Sequence, residues 1–271
     1  MLTTRLGGKM EREISEVAMT NQRVVLVERD GQVGVLTLNR PEARNALSAQ
    51  LSKELREGTQ ELDEDPNINV IVVTGAGDKA FCAGADIKEM AQREQNPESV
   101  PSPARGDSEA SGPRLVFSAK PTIGAINGVA IGGGSQLSTT VDIRIGCERS
   151  MFSFPGAAYG RINATWTLSR IVGLPIAKEL LFSGRPIHAQ EALSIGLLNR
   201  IVPSERLMEE TMQLAHTIAG NPPEMVQAVK LMLNDYVGMR LEDMPKREQQ
   251  GRAGLTTPPA KEVFSSFLNR S

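Results

Sequence analysis

The chain has little of what usually carries metal, redox or acid–base chemistry: two cysteines and two histidines in 271 residues. Cys82 and Cys147 have no metal-ligand or redox spacing, so they read as reduced thiols of a cytoplasmic protein. His188 and His216 lie far apart in sequence, which gives a zinc site or a Ser–His–Asp triad weak support. No metal is expected. No apolar run approaches the ~20 residues that span a bilayer. The first residues mix Arg5, Lys9 and Arg12 with Glu11, Glu13 and Glu16, and hold no signal-peptide core. An excess of charge is missing too: 30 Lys plus Arg face 32 Asp plus Glu, a net charge of −2. The balance gives no general attraction to nucleic acid or acidic membranes.

What is present is an ordinary globular composition, 40% hydrophobic and 23% charged. Val24 to Glu28, Asp30-Gly31 and Val33 to Leu38 predict a β-hairpin. Leu47, Leu51, Leu55 and Leu62 recur near helical spacing and predict an amphipathic helix. Val70 to Thr74, Thr122 to Asn127 and Ile143 to Gly146 read as short strands. The alternation argues for an α/β architecture with right-handed crossovers. From Pro175 the pattern is helical: Ala177 to Phe182, Ala189 to Ile195, Glu205 to Ala219 and Pro223 to Asp235. Between Met90 and Leu115 a Pro-, Ser- and charge-rich stretch reads as a surface loop that could serve as a lid.

The most informative stretch is Gly132-Gly133-Gly134-Ser135-Gln136, which follows the apolar run Ile123 to Ile131. Residues without a Cβ let the backbone approach a ligand, and a helix starting there offers unpaired N–H groups to developing negative charge. That is the construction of an oxyanion hole. A second small-residue segment, Ala80-Phe81-Cys82-Ala83-Gly84-Ala85-Asp86-Ile87-Lys88, also follows a strand and supplies a second candidate donor. Each segment read alone is also an ordinary tight turn. Gly75-Ala76-Gly77 invites a dinucleotide reading, but the third glycine position is Ala80 and no helix clearly follows, which disfavours it.

Three segments together resemble the crotonase, or enoyl-CoA hydratase/isomerase, superfamily. They are Asn39 through Leu47, Phe81 through Lys88, and Lys120-Pro121 through Gly134. Gly184-Arg185-Pro186-Ile187, Glu191-Ala192-Leu193, Gly196-Leu197 and Val202-Pro203 extend the match, which covers about residues 22 to 271 in order. The resemblance implies a spiral of repeated ββα units with a C-terminal helical trimerisation region. Residues 1–21 would be a leader, 22–203 the α/β core and 204–271 the helical region. It also implies a homotrimer or dimer of trimers acting on acyl-CoA thioesters, with no cofactor beyond the coenzyme A of the substrate, no nucleic acid and no membrane. The two oxyanion-hole N–H groups would fall on Ala85 and Gly133. CoA contacts would fall on Ala43, Arg44, Ala83, Asp86, Ile87 and Lys88, with Phe264, Phe267 and Arg270 helping to line a neighbour's site.

The sequence departs from this family where the family's two catalytic glutamates belong: Gln136 and Gly156 stand there. An amide has no basic site for proton transfer and glycine has no side chain. Ordinary hydration is therefore not expected, and decarboxylation, thioester hydrolysis or isomerisation of a specialised substrate stay open. A non-catalytic acyl-CoA-binding protein is the alternative from another class. Gln136 and Asn163 are the candidate polar groups for the chemistry, with Tyr159 and Arg161 near the acyl group. His188 reads as a helix-start residue and Asp142 as a structural acid. Burial accounts for the sole tryptophan, Trp166, as well as ligand stacking does.

Overall fold

A computed structural model describes residues 23–96, 114–256, 259 and 261. The strands are β1 (Val25–Asp30), β2 (Val33–Leu38), β3 (Val70–Gly75), β4 (Ala80–Cys82), β5 (Thr122–Ile126), β6 (Val129–Ile131), β7 (Ile143–Cys147), β8 (Met151–Ser153), β9 (Ile187–His188) and β10 (Arg200–Val202). The first four helices are α1 (Ala49–Glu64), α2 (Ile87–Gln95), α3 (Gly133–Ser138) and α4 (Thr165–Val172). In chain order the pattern β-β-α runs four times, which is the spiral the resemblance implies. Each unit gives its first strand after the opening hairpin to a six-stranded sheet, ordered β1-β2-β3-β5-β7-β10. Its second strand goes to a four-stranded sheet, β4-β6-β8-β9. Strands β2, β3, β5 and β7 pair in parallel, as β-α-β crossovers require.

Next come α5 (Leu174–Ser183), α6 (Ala189–Ser194), α7 (Leu207–Ala219), α8 (Pro223–Tyr236) and α9 (Met244–Arg252). Two apolar clusters hold the layers together. One joins Leu36, Leu38 and Val73 to Leu51, Leu55 and Leu62 of α1, and to Phe81, Phe152 and Phe154. On the opposite face of the large sheet, Val33, Val70, Val72, Ile123 and Ile145 pack against Leu207, Ala215 and Ala219 of α7. The inner strands β2, β3, β5 and β7 thus bury side chains on both faces, and period-two alternation is lost there in favour of apolar runs, whereas the edge strands β1 and β10 are more exposed.

Several boundaries differ from the sequence expectation. Leu47 is not on the first helix: Ser48 caps α1 by accepting the Leu51 N–H at 3.1 Å, and Leu47 instead forms a parallel bridge with Ala85. Met90 to Gln95, read as loop, belong to α2. Residues 97–113 of the expected loop lie outside the described residues. Strands β4, β6, β8, β9 and β10 have two or three residues each, too few for a periodic signal. Asp142 is structural, as expected: it accepts from the Thr122 N–H at 2.8 Å and pairs with Lys230 at 2.7 Å. His188 does stand at the start of α6, but its side chain makes no capping hydrogen bond.

Candidate active site

The sheet arrangement brings the two glycine-containing turns side by side. Strands β4 and β6 are parallel neighbours, so the residues that leave their C-terminal ends, Ala83-Gly84-Ala85 and Gly132-Gly133, emerge together. Their contact is close enough to demand glycine. Gly84 has φ +91°, and a Cβ there would stand 2.5 Å from the Ile131 carbonyl oxygen and 3.3 Å from the Gly133 nitrogen. A Cβ on Gly134 would lie 1.9 Å from the Cys82 carbonyl oxygen, so only glycine lets α3 start this close to β4. A Cβ on Gly133 would sit 3.8 Å from the Ala85 nitrogen. Gly133 is the first residue of α3, where N–H groups lack an intrahelical acceptor. Neither the Ala85 nor the Gly133 N–H donates a hydrogen bond to any described residue. Ala85 is exposed and Gly133 half-buried, so both N–H groups belong to residues that reach the surface.

The loop before α1 is zipped onto this ridge. The Ala83 N–H donates to the Arg44 carbonyl (3.0 Å), the Leu47 N–H to Gly84 (2.7 Å) and the Asp86 N–H to Leu47 (3.2 Å). These bonds bring Ala43, Arg44, Ala83, Asp86, Ile87 and Lys88 into one surface. Asp86 has work of its own there. It caps α2 by accepting from Lys88 and Glu89 N–H groups and pairs with Arg40 at 2.8 Å. Burial opposes its ionisation, but Arg40 and the two N–H groups outweigh that and hold its carboxyl below the usual range. Ile87 is 78% exposed, and Lys88 and Arg44 point no ion pair at any described carboxylate. Phe264, Phe267 and Arg270 lie outside the described residues.

Asn45 went unassigned in the sequence and holds the loop together. Fully buried, it donates to the Ala76 and Ala80 carbonyls (3.0 and 2.9 Å) and accepts from the Arg40 N–H (2.9 Å). Its φ is +55°, beside Arg44 at +52°. A positive φ is tolerated best by Asn after Gly, which was the available signal. Cys82, at the base of the ridge, is buried, and that burial pushes its thiol up to about 12, so it is no nucleophile.

The structure also shows what surrounds Gln136 and Gly156, the two positions where the resemblance implies glutamates. Gln136 is half-buried in the middle of α3, and its side-chain amide meets no described partner. Gly156 is buried, and the place of its missing Cβ is already taken: Asn163 Oδ1 would lie 2.8 Å away and the Arg161 carbonyl 3.0 Å. Asn163 Oδ1 is itself buried and accepts no hydrogen bond from a described residue. Two clasps fix this corner against α3. Ser135 Oγ lies 2.8 Å from the Ser153 carbonyl and accepts the Ser153 N–H, while Thr139 and Thr167 share a hydroxyl bond of 2.7 Å. The serine and threonine clasps were not legible, because their partners are distant in sequence.

Tyr159 and Arg161 are turned outward. Tyr159 is 74% exposed and the Arg161 guanidinium rests 4.0 Å from Met90 Sδ of α2. Trp166 corrects the burial reading: it is 46% exposed and stacks on Phe117, with ring centroids 6.4 Å apart and planes 20° from parallel. Among the described residues no cluster of His, Cys, Asp or Glu could hold a metal, and no helix is long and apolar enough to cross a membrane. The two acids that follow Ala85 in sequence are both engaged, Asp86 by Arg40 and Glu89 by Arg93 and the Ala49 N–H.

Known proteins share this sequence pattern and fold. The family profile described as enoyl-CoA hydratase/isomerase matches residues 28–266. A short-chain-enoyl-CoA hydratase of Clostridium acetobutylicum is 38% identical over 251 residues, 91% of this chain and 95% of that protein. The mitochondrial enoyl-CoA hydratase of Pongo abelii is 36% identical over 258 residues, 92% and 87% of the two chains. The crystal structure of an enoyl-CoA hydratase from Bacillus anthracis superposes with a TM-score of 0.80 at 34% identity, over 91% of this chain and 96% of that one.

Proposed function

The chain belongs to the enoyl-CoA hydratase/isomerase family of acyl-CoA enzymes, and from that premise we propose that it stabilises a thioester enolate without a carboxylate pair. The Ala85 and Gly133 N–H groups receive the thioester oxygen as it gains negative charge. One observation carries the reading of the chemistry: Asn163 fills the place where a side chain at 156 would grow, and the opposite flank offers the Gln136 amide. Two neutral amides can orient groups by hydrogen bonding, but neither removes a proton from carbon.

A reaction that makes its enolate without removing a proton fits these residues. In an acyl-CoA with a carboxylate on Cα, the bond from Cα to the carboxylate carbon breaks. Its electron pair passes into the enolate, carbon dioxide leaves, and Cα takes a proton from water. The protein contributes the hole, where one well-placed donor is worth roughly 3–4 kcal/mol of barrier. Thiol-free cleavage of this kind leaves the CoA ester intact. Arg44 and Lys88, exposed beside the ridge, are assigned to the CoA phosphates. No cofactor beyond CoA enters this reading. We also place the protein in the cytoplasm, as a trimer or dimer of trimers; exposed Val229, Leu231 and Leu233 on α8 support an assembled state.

The test is to incubate the purified protein with crotonyl-CoA, methylmalonyl-CoA and butyryl-CoA, following hydration, carbon dioxide and free thiol. Carbon dioxide from methylmalonyl-CoA, with crotonyl-CoA left unhydrated, is the expected result. Rapid hydration of crotonyl-CoA that survives Gln136→Ala sinks the reading, and free thiol as the main product replaces it with thioester hydrolysis.

A further inference from the structure

Arg144, on β7, is a buried cation, 4% exposed, that makes no ion pair with a described residue. Asp142 raises its basicity, but that carboxylate is bonded to Thr122 and Lys230. Burial outweighs Asp142 and pulls the guanidinium down to about 10, which leaves it charged at neutral pH. Burying such a charge is costly unless hydrogen bonds replace its water. Here carbonyls supply them. Nε donates to Leu197 at 2.7 Å and Nη1 to Val141 at 2.6 Å, with longer reaches of 3.5 Å to Ser138 and Asp142. The sheet makes room for the side chain: Gly124 of β5 pairs with Arg144, and a Cβ there would lie 3.9 Å from Arg144 Cγ and 3.1 Å from Val141 Cγ2.

Three of these four carbonyls belong to the end of α3 and the turn after it. Carbonyls in the last turn of a helix have no intrahelical partner. In α3 side chains serve them in succession. The Ser138, Thr139 and Thr140 hydroxyls donate to the Ser135, Gln136 and Leu137 carbonyls, each at 2.7 Å, and Arg144 extends the series to Ser138. A helix of six residues does not hold itself in place, so tertiary contacts at its two ends set its position. At the front, Gly134 is pressed on the Cys82 carbonyl, and Ser135 Oγ lies 2.6 Å from the Ala130 carbonyl. At the back stands Arg144. Gly133 opens the same helix, and the backbone bonds from Gln136 to Gly132 (2.9 Å) and from Thr139 to Ser135 (3.1 Å) make front and back one piece.

We infer that Arg144 is a positioning residue: its guanidinium fixes the back of α3 and so keeps the Gly133 N–H in line with the Ala85 N–H. The inference rests on the two-donor hole of the enolate reading given above. A guanidinium suits the task because its rigid fork of donors binds two separate segments at once, the turn after α3 and the Leu197 turn before β10. Without the fork these buried carbonyls lose their donors, and the end of α3 shifts to find others. Ala85 does not follow, because it lies on another segment, zipped to the loop before α1.

The readout is the thioester carbonyl itself. Butyryl-CoA with carbon-13 at that carbonyl would be bound to the full-length protein, and its C=O stretching band compared with that of the free ester. Two aligned donors draw electron density onto the oxygen and lower the frequency. The wild type should show the lowered band, and Arg144→Met, which fills the volume without donors, should return it most of the way to the free value. With methylmalonyl-CoA the same variant should lose about 10- to 100-fold in kcat, as misplacement by about an ångström does, with KM changed by less than about threefold. Leu55→Ala, in the α1 core, weakens the fold at a distance and should keep both the band and kcat. An unchanged band in Arg144→Met, or an equal loss in Leu55→Ala, overturns the inference while leaving the hole standing. Should Arg144→Met fail to fold, Arg144→Lys takes its place. Its single ammonium should give a band between the two, and a full wild-type shift overturns the inference. A wild-type band at the free value removes the hole, and the inference falls with it.

Discussion

The two walls of the cleft are built from the same sheets yet are held in different ways. The wall proposed to receive the thioester oxygen is backbone. Its donors are main-chain N–H groups, fixed by strand pairing between β4 and β6 and by glycines whose absent Cβ atoms let the chains touch. The facing wall is side chain: Gln136 and Asn163, positioned by two hydroxyl clasps and one filled void. Backbone geometry tolerates almost no substitution, whereas a side-chain wall can be rewritten with the scaffold intact. On the proposed reading, that contrast explains how a chain could keep the binding chemistry of a family without the two carboxylates, since Gln136 and Gly156 stand in their places.

The largest expected effect comes from damaging the backbone wall alone. Gly133→Val would place its side chain over Ala85 N and against Leu47 Cδ1, 2.9 Å from the Cβ position. Leu47 can shift, so the fold should survive while turnover falls by roughly 10²–10³. Initial rates beside a thermal melt would show both; retained activity would remove Gly133 from the hole.

Rewriting the other wall should change the reaction rather than abolish it. Gln136→Glu with Gly156→Glu restores both carboxylates, but Asn163 obstructs the second. Adding Asn163→Gly should therefore raise crotonyl-CoA hydration by about 10²-fold over the double variant, within the usual range for acid–base catalysis. Equal rates in the double and triple variants would show that Asn163 does not fill the vacated space.

The smallest effect concerns the brace behind the hole. Arg40→Ala leaves Asp86 without its cation at a site where their side chains are 21% and 13% exposed, and should cost about 1–3 kcal/mol in urea unfolding. The sign of the pH effect follows from Asp86, whose folded carboxyl ionises below the usual range. Its contribution is present above the unfolded value of roughly 3.9 and disappears as pH falls through the lower folded value. Wild type and variant should therefore converge in stability only under strongly acidic conditions. A constant gap down to low pH would separate Arg40 from Asp86.

Much of this was legible in the chain. The hairpin, α1, and the strands β3, β5 and β7 announced themselves because they are long enough to show a period or an apolar run. The small strands of the second sheet did not, since Ala80–Cys82 and Met151–Ser153 are defined by neighbours and not by local preference. In the site, the two small-residue turns were readable because close backbone approach leaves a compositional trace, whereas the naming of Ala85 and Gly133 as donors came from the family resemblance. The Ser135–Ser153 and Thr139–Thr167 clasps left no such trace, and Asn45 left only the general preference of Asn for a left-handed turn, as common polar residues gain their meaning from distant partners.

By itself, then, the sequence determined that Gln136 and Gly156 bring no carboxylate to the site, because residue chemistry needs no coordinates. Only the tertiary structure decided what occupies the vacated place. A missing side chain leaves a volume, and which group enters it depends on how the turn from Gly156 to Ala164 packs against α3. That packing put Asn163 there, with its oxygen facing inward and unpaired.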